Sequence, residues 1–174
     1  MSDYFDVVIV GGGLSGIGAA YHLQRDCPQK TYVILEGRDV TGGTWDLFRY
    51  PGVRSDSDMY TLGYAFKPWR ERKAIADGPL ILNYIRQTAT ENGIDRHIRL
   101  KHRVVAAAWD SARQTWSVEV EHGGKGQRST IACRFLLMCA GYYSYEKGYE
   151  PQFPGADRFS GRIVHPQKWT PDID

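Results

Sequence analysis

Three glycines near the start of the chain have the spacing of a nucleotide-binding turn. Gly11, Gly13 and Gly16 form the pattern G-x-G-x-x-G, and Glu36 follows twenty positions after the third glycine. In such turns the glycines permit a tight bend, a close approach of the backbone to a diphosphate, and tight packing of a helix on a sheet. The helix N-terminus attracts the phosphates. An acidic residue at the position of Glu36 accepts hydrogen bonds from the ribose hydroxyls and repels a 2′-phosphate, so the turn predicts FAD or NAD and not NADP.

The residues around the turn predict the elements that must hold it. The apolar run Phe5–Val10 is typical of a strand buried on both faces, and Thr31–Glu36 is typical of a second one. A helical pattern between them runs to about Arg25 and includes Leu14 and Ser15, which we count with the glycines as cofactor-binding residues. Strand, glycine turn, helix and strand form a βαβ unit. The alternative is a loop and helix that bind nothing, but it requires the glycines, both strands, the helix and the acid to coincide by chance.

The rest of the chain predicts an α/β fold, with a Rossmann-like parallel sheet and a small antiparallel β-meander. One helix is expected from about Pro79 to Asn92. Three strands of a meander are expected in IRLKHRVVAAAWD, TWSVEVEH and RSTIAC, with turns at Asp110–Gln114 and Gly123–Gly126. A further buried strand, FLLMCAG, is expected at Phe135–Gly141.

Composition excludes several classes of function. The 174 residues carry a net charge of +2, and Glu71 interrupts the densest basic run, so no nucleic-acid surface is predicted. Glycines interrupt the longest apolar stretch, which is too short for a membrane span. The three cysteines form no C-x-x-C pair and the histidines have no metal-ligand spacing, so we expect a cytoplasmic protein without a metal site.

Three further segments carry a resemblance to a known family. R-x-x-x-G-G-T-W, from Arg38 to Trp45, resembles the second FAD motif of two-dinucleotide-binding flavoproteins. RYPGVRSDSD, at residues 49–58, resembles a segment of the Baeyer–Villiger monooxygenases, close to their ethionamide-monooxygenase-like subgroup. The pattern F-x-G-x-x-x-H-x-x-x-W resembles the fingerprint of that family, with Thr170 in place of its final Pro or Asp; it comprises Phe159, Gly161, His165 and Trp169.

The resemblance implies roles for individual residues. Gly43, Thr44 and Trp45 would contact FAD, the backbone near Val104 would meet the adenine, and Gly141 would lie close to the cofactor. Asp56 matches the catalytic aspartate of the family, which lies near the flavin and orients an arginine of the NADPH domain.

Local sequence patterns also bear on Asp56 and on the two tyrosines that follow it. Ser55 and Asp58 form an S-x-x-D pattern, so Asp56 could instead belong only to a helix cap. Tyr60 is interpreted as a flavin-facing residue, whereas Tyr64 is interpreted as part of an apolar core stripe.

The resemblance also predicts the organisation of the protein. Residues 1–142 would form an incomplete FAD-binding domain, and residues 143–174 a linker that carries the fingerprint toward an NADPH domain. The expected activity is an NADPH- and O2-dependent oxygenation of a ketone or a sulfide. Self-association through exposed apolar surface is expected as well. An N-hydroxylating or dimethylaniline-type flavin monooxygenase and a non-catalytic FAD-binding module are the alternatives.

Overall fold

Six strands form one sheet in the computed structural model, which describes residues 3–124 and 126–173. The strands are β1 (Asp3–Val10), β2 (Tyr32–Leu35), β3 (Ile98–Arg99), β4 (His102–Asp110), β5 (Thr115–His122) and β6 (Gln127–Met138). The helices are α1 (Leu14–Asp26), α2 (Thr44–Leu47), α3 (Met59–Leu62) and α4 (Gly78–Glu91), with 3-10 turns at Asp95–His97, Ala156–Arg158 and Pro166–Lys168. The strand order is β3-β2-β1-β6-β5-β4.

The predicted βαβ unit is confirmed. β1 and β2 pair in parallel, with Val7 beside Tyr32 and Val10 beside Leu35. α1 connects them and packs against both strands. Ile17 and Ala20 of α1 lie fully buried in a core that α4 completes, and Leu14 and Leu23 pack against that core while partly buried. The alternating side chains of β1 therefore face two separate cores, which explains why its sequence is apolar without interruption.

The side chains of the meander pack on the other face of β1 and β2. β4, β5 and β6 pair in antiparallel order, as predicted. Lys125, within the second predicted turn, lies outside the described residues. The second core joins apolar side chains of the parallel strands to those of the meander; it comprises Val8, Val10, Val33, Leu35, Val118, Val120, Ile131 and Cys133. Helices on one face and a meander on the other give three layers around β1 and β2.

One long strand replaces two predicted ones. RSTIAC and the start of FLLMCAG form the single strand β6, which pairs with β5 through Cys133 and with β1 from Ile131 to Met138. The predicted break between the two segments was wrong: Arg134, which lies between them, does not favour a turn and continues the strand. The predicted burial was also wrong at this end, since Phe135 is 70% exposed and Met138 is 63% exposed. No other part of the described chain covers these two side chains of β6, which are therefore exposed to solvent.

The predicted strand at residues 98–110 is instead divided in two. Lys101 has a φ of 57° and separates β3 from β4. Its N–H donates to the carbonyl of Arg38 at 2.8 Å, and the N–H of His102 donates to the carbonyl of Glu36 at 2.8 Å. The turn therefore lets β3 extend the parallel sheet while β4 starts the meander beside the end of β2.

The helix predicted from about Pro79 to Asn92 is confirmed. α4 begins after Asp77 and ends before Asn92, and Gly93 then turns the chain with a φ of 61°. Within residues 3–124 and 126–173, no helix combines the length and apolar character that a bilayer crossing requires.

The contact between α1 and the glycine turn yields a stability prediction. A Cβ on Gly16 would overlap the carbonyl oxygen of Gly11, whereas a Cβ on Gly13 would lie 3.6 Å from the Cα of Gly43, an ordinary contact. We expect Gly16→Ala to lower the free energy of unfolding by about 1–3 kcal/mol through overpacking, although alanine normally favours a helix. Thermal and urea unfolding without cofactor measure this, with Gly13→Ala as the matched control. Equal losses in the two variants would contradict the prediction.

Candidate dinucleotide-binding site

The first glycine turn connects β1 to α1. Gly11 has a φ of 110° and its N–H donates to the carbonyl of Leu35 at 2.9 Å, so the turn is fastened to the end of β2. Gly13 is the N-cap of α1, with no side-chain cap among the described residues and no acidic residue in the first turn. The N–H groups at Leu14 and Ser15 belong to the first turn of the helix, which has no intrahelical partners for them. This helix end is suited to bind an anion.

Glu36 lies at the end of β2 beside that turn and is 7% exposed. Its Oε2 accepts a hydrogen bond from the N–H of Gly12 at 2.8 Å, and its Oε1 accepts one from the N–H of Arg38 at 2.9 Å. These bonds hold the glycine turn, a role that the sequence pattern did not indicate. Each carboxylate oxygen has two lone pairs, so both oxygens keep capacity for the ribose hydroxyls. The ribose contact remains a prediction.

The second glycine turn lies against the first. Gly42 has a φ of 120° and Gly43 a φ of 53°, which is the left-handed region that glycine tolerates. The N–H of Gly42 donates to the carbonyl of Gly12 at 3.0 Å, and a Cβ on Gly43 would lie 3.3 Å from the Cα of Gly13. The structure thus brings the two predicted glycine motifs together, backbone against backbone. Both turns would be filled by side chains if the glycines were replaced, which fits a binding site for a dinucleotide.

Thr44 and Trp45 continue the second turn into α2. Trp45 is partly buried and packs against the core that contains α1 and α4. Of the three predicted contact residues here, Gly43 and Thr44 lie at the turn itself, and Trp45 supports it from the core side.

Asp46 is a site residue that the sequence reasoning missed. It is 4% exposed and accepts hydrogen bonds from Arg38 Nη2 at 2.5 Å, Arg86 Nη2 at 2.8 Å and Arg49 Nη2 at 3.3 Å. Burial by itself would raise the pKa of Asp46, but the arginines, Arg38 foremost, outweigh it and lower that pKa below its ordinary value. The available signal was an acid inside the apolar run TWDLF with arginines on either side.

Asp56 is not helical: it lies in a bend between the paired residues Arg54 and Ser55 and the helix α3. The N–H of Ser55 donates to the carbonyl of Ala76 at 3.1 Å, and Arg54 forms a β-bridge with Asp77. The helix α3 starts only at Met59, where Asp58 is the N-cap and accepts from the N–H of Thr61 at 3.0 Å. The predicted capping box beginning at Ser55 was therefore wrong, because pairing with residues 76–77 keeps Ser55 extended. The side chain of Asp56 is exposed on this segment.

The two tyrosines after Asp56 differ in environment. Tyr60 is 61% exposed, and its hydroxyl donates to the carbonyl of Glu71 at 3.1 Å. Tyr64 donates to the carbonyl of Leu14 at 2.5 Å and packs against the core, as its interpretation as a core residue predicted. Burial raises the pKa of Tyr64, so its hydroxyl stays a donor at the start of α1. The flavin contact of Tyr60 remains a prediction.

The other two predicted cofactor contacts, Val104 and Gly141, lie on β4 and after β6, respectively. Val104 is on β4 and packs against the second core. After β6, the N–H of Cys139 donates to the carbonyl of Val10 at 2.8 Å, and a Cβ on Gly11 would overlap the carbonyl oxygen of Cys139. Gly141 follows with a φ of 73°. The chain therefore leaves β6 directly beside the first glycine turn.

The fingerprint residues fold back on the segment that follows Gly141. The ring of Phe159 packs on Gly161, and the imidazole of His165 packs on Gly148. Gln167 Nε2 donates to the carbonyl of Ser144 at 2.8 Å, and Trp169 is half-buried.

Tyr145 connects this folded segment to the second glycine turn. Its hydroxyl would lie 3.4 Å from a Cβ on Gly43, and the Arg38 guanidinium lies 5.8 Å from the centre of its ring. Burial raises the pKa of Tyr145. Because Ser144 holds Gln167 in the same segment, the fingerprint and the glycine turns are joined through a few side chains.

Comparisons with known proteins agree with this geometry. Residues 9–71 match the family model described as "NAD(P)-binding Rossmann-like domain", and residues 75–173 match the one described as "Flavin-binding monooxygenase-like". The chain is 59% identical over 174 residues to the FAD-containing monooxygenase EthA of Mycolicibacterium smegmatis, covering 100% of this chain and 35% of that protein. The chain thus spans about a third of the length of the curated relatives it matches.

Two solved structures are similar to the whole fold. An oxidized steroid monooxygenase bound to NADP aligns with a TM-score of 0.79 at 33% identity, over 97% of this chain and 32% of that chain. OTEMO in complex with FAD and NADP aligns with a TM-score of 0.76 at 28% identity, over 99% of this chain and 32% of that chain.

The buried carboxylate of Asp46 predicts a specific pH dependence. Because its folded-state pKa lies below the unfolded value, its contribution to stability is present above about pH 4 and is lost as the pH falls through the folded-state pKa. We expect Asp46→Asn to be less stable than the unmodified chain at pH 7, by on the order of 3 kcal/mol. That difference should shrink below pH 4. Urea unfolding from pH 7 to pH 3 measures it.

The control for losing one negative charge is Asp157→Asn, at an exposed carboxylate in the 3-10 turn Ala156–Arg158. A stability difference for Asp46→Asn that stays constant across the pH range would show that the charge of Asp46 does not stabilise the fold.

Proposed function

Because this chain belongs to the flavin-binding monooxygenase-like family, we propose that it is the FAD-binding part of an NADPH- and O2-dependent monooxygenase. The observation that carries the proposal is the pair of glycine turns packed backbone to backbone, with the Glu36 carboxylate beside them. The names of its relatives support the cofactor, since EthA is described as FAD-containing and OTEMO as a complex with FAD and NADP.

The residues of the chain divide the binding of FAD among them. The N-terminus of α1, with Gly13, Leu14 and Ser15, would hold the diphosphate through its N–H groups and its positive end. Glu36 would accept hydrogen bonds from the ribose. Bound FAD supplies the redox and oxygen-transfer chemistry, while the protein positions it and excludes competing reactions.

The proposed reaction is the oxygenation of a ketone to an ester or lactone, or of a sulfide. The similarity to a steroid monooxygenase and the RYPGVRSDSD segment support it. Asp56 would act through an arginine supplied by an NADPH domain. Its side chain is exposed, and the residues before it pair with residues 76–77, which supports that contact. Such an arginine would stabilise negative charge that develops during the reaction.

The organisation of the chain follows from the same proposal. Residues 1–142 would form the FAD-binding domain, and residues 143–174 the linker with the fingerprint.

The exposed side chains of β6, Phe135 and Met138 among them, would support self-association of the isolated chain. The three free thiols agree with a reducing, cytoplasmic location.

Replacement of Glu36 tests the cofactor assignment. Charge-assisted hydrogen bonds are worth about 1.5–3 kcal/mol, so Glu36→Gln should weaken FAD binding by about 10- to 150-fold. FMN lacks the adenosine, so its affinity should fall far less. Glutamine is the suitable replacement because its one carbonyl oxygen can still accept from the N–H of Gly12. Titration followed by flavin fluorescence measures both affinities.

Glu119→Gln is the matched control for that experiment, because it removes an equivalent charge that pairs with Arg128 on the meander at 2.6 Å. Equal losses of FAD and FMN affinity in Glu36→Gln would contradict the ribose contact. An unmodified chain that takes up no FAD would contradict the proposed function itself.

Asp56 is tested in the complete monooxygenase that carries this segment. Asp56→Ala should leave FAD bound and the KM for NADPH nearly unchanged, while kcat falls on the order of 100-fold because the arginine is no longer oriented. Steady-state NADPH oxidation and product formation measure the two constants. Unchanged kcat would remove Asp56 from the active site and leave it as an exposed residue of a surface bend.

A further inference from the structure

We propose that Asp46 is a positioning residue of the cofactor site: its carboxylate holds Arg38 and Arg86 so that they fix the second glycine turn against the first. The inference rests on the proposed function, because FAD is the ligand that the two turns would hold. Asp46 itself need not touch FAD.

The burial of Asp46 needs a compensating structure. The residue lies in α2, which has only four residues, and is 4% exposed. An uncompensated carboxylate at such a position costs several kcal/mol. Compensation comes from three separate parts of the chain: Arg38 follows β2, Arg49 follows α2, and Arg86 belongs to α4.

Two of the arginines also hold the backbone of the glycine turn. Arg86 Nη2 donates to the carbonyl of Thr41 at 2.9 Å, and Arg38 Nη1 donates to the carbonyl of Gly43 at 3.4 Å. These carbonyls lie on either side of Gly42, whose N–H donates to the carbonyl of Gly12. Glycines at positive φ have no side chains with which to hold their own conformation. The turn is therefore held from outside, by arginines that Asp46 keeps in place.

Charge provides a way to separate positioning from simple attraction. Three guanidiniums around one carboxylate leave two net positive charges beside the glycine turns. Replacing Asp46 by asparagine removes the negative charge and so raises the net charge of this group by one, which on charge alone would strengthen the attraction for a diphosphate. If the carboxylate acts by holding the turn, the same replacement weakens FAD binding. The two explanations thus predict opposite signs.

The experiment compares FAD affinity in three variants with that of the unmodified chain. Asp46→Asn keeps the shape of the side chain and removes its charge. Arg86→Lys keeps the charge of the arginine, but a single ammonium lacks the planar fork that bonds both Asp46 and Thr41. Asp6→Asn is the control, since it removes a carboxylate charge that pairs with Lys30 at 3.3 Å and keeps an oxygen that can still accept from Thr31.

FAD affinity is measured by flavin fluorescence at 10 °C, and the folded fraction at that temperature is measured by circular dichroism. We expect Asp46→Asn and Arg86→Lys to weaken FAD binding at least about tenfold, as the loss of supporting residues does at other sites, and Asp6→Asn to change it less than about twofold. A purely structural role would lower the unfolding temperature and leave the affinity of the folded protein unchanged.

Unchanged or tighter FAD binding by folded Asp46→Asn would overturn the inference, while binding by the unmodified chain would leave the proposed function intact. If Asp46→Asn does not fold, Arg86→Lys decides in the same way. An unmodified chain without FAD affinity would overturn the proposed function and this inference together.

Discussion

The close approach of two glycine turns is the constraint on which the site depends. The N–H of Gly42 donates to the carbonyl of Gly12, and a Cβ on Gly43 would lie only 3.3 Å from the Cα of Gly13, so the two turns meet backbone to backbone. The turns come from segments separated by a helix and a strand, and the parallel pairing of β2 with β1 brings them together. Glu36 completes the arrangement because it ends β2 and accepts the N–H of Gly12. A dinucleotide site thus arises from the pairing of two strands.

Buried charge supplies the rigidity that glycine cannot. Glu36 and Asp46 are 7% and 4% exposed. Glu36 accepts a hydrogen bond from the backbone of the first turn, and Asp46 accepts hydrogen bonds from arginines, among them Arg38. Partnerless, either charge would destabilise the fold. With partners, each links the glycine backbone to a regular element, β2 in one case and α4 in the other.

β6 joins the two halves of the fold and leads to the fingerprint. Its first part belongs to the meander and its last part lies beside β1, so the chain leaves the sheet at Cys139, next to Gly11. In the segment after β6, the side chain of Tyr145 lies beside Gly43. Ser144 and Gly148 of the same segment contact Gln167 and His165. The fingerprint of the predicted linker thus contacts Ser144 and Gly148, in the same segment as Tyr145, which borders the second glycine turn.

The sequence alone determined the βαβ unit, the meander, α4 and the glycine motifs with Glu36, because each rests on a local pattern: apolar period, turn chemistry or glycine spacing. Only the tertiary structure decided the rest. Ser55 reads locally as a helix cap, but pairing with residues 76–77 keeps it extended. The segments RSTIAC and FLLMCAG have the local pattern of two strands, yet they join in the single strand β6, which pairs with both β5 and β1. Asp46 was missed because its partners lie 8, 3 and 40 positions away, and one of them, Arg86, meets it only when α4 packs on α2. Long-range pairing and charge compensation depend on which segments meet, and no local pattern records that.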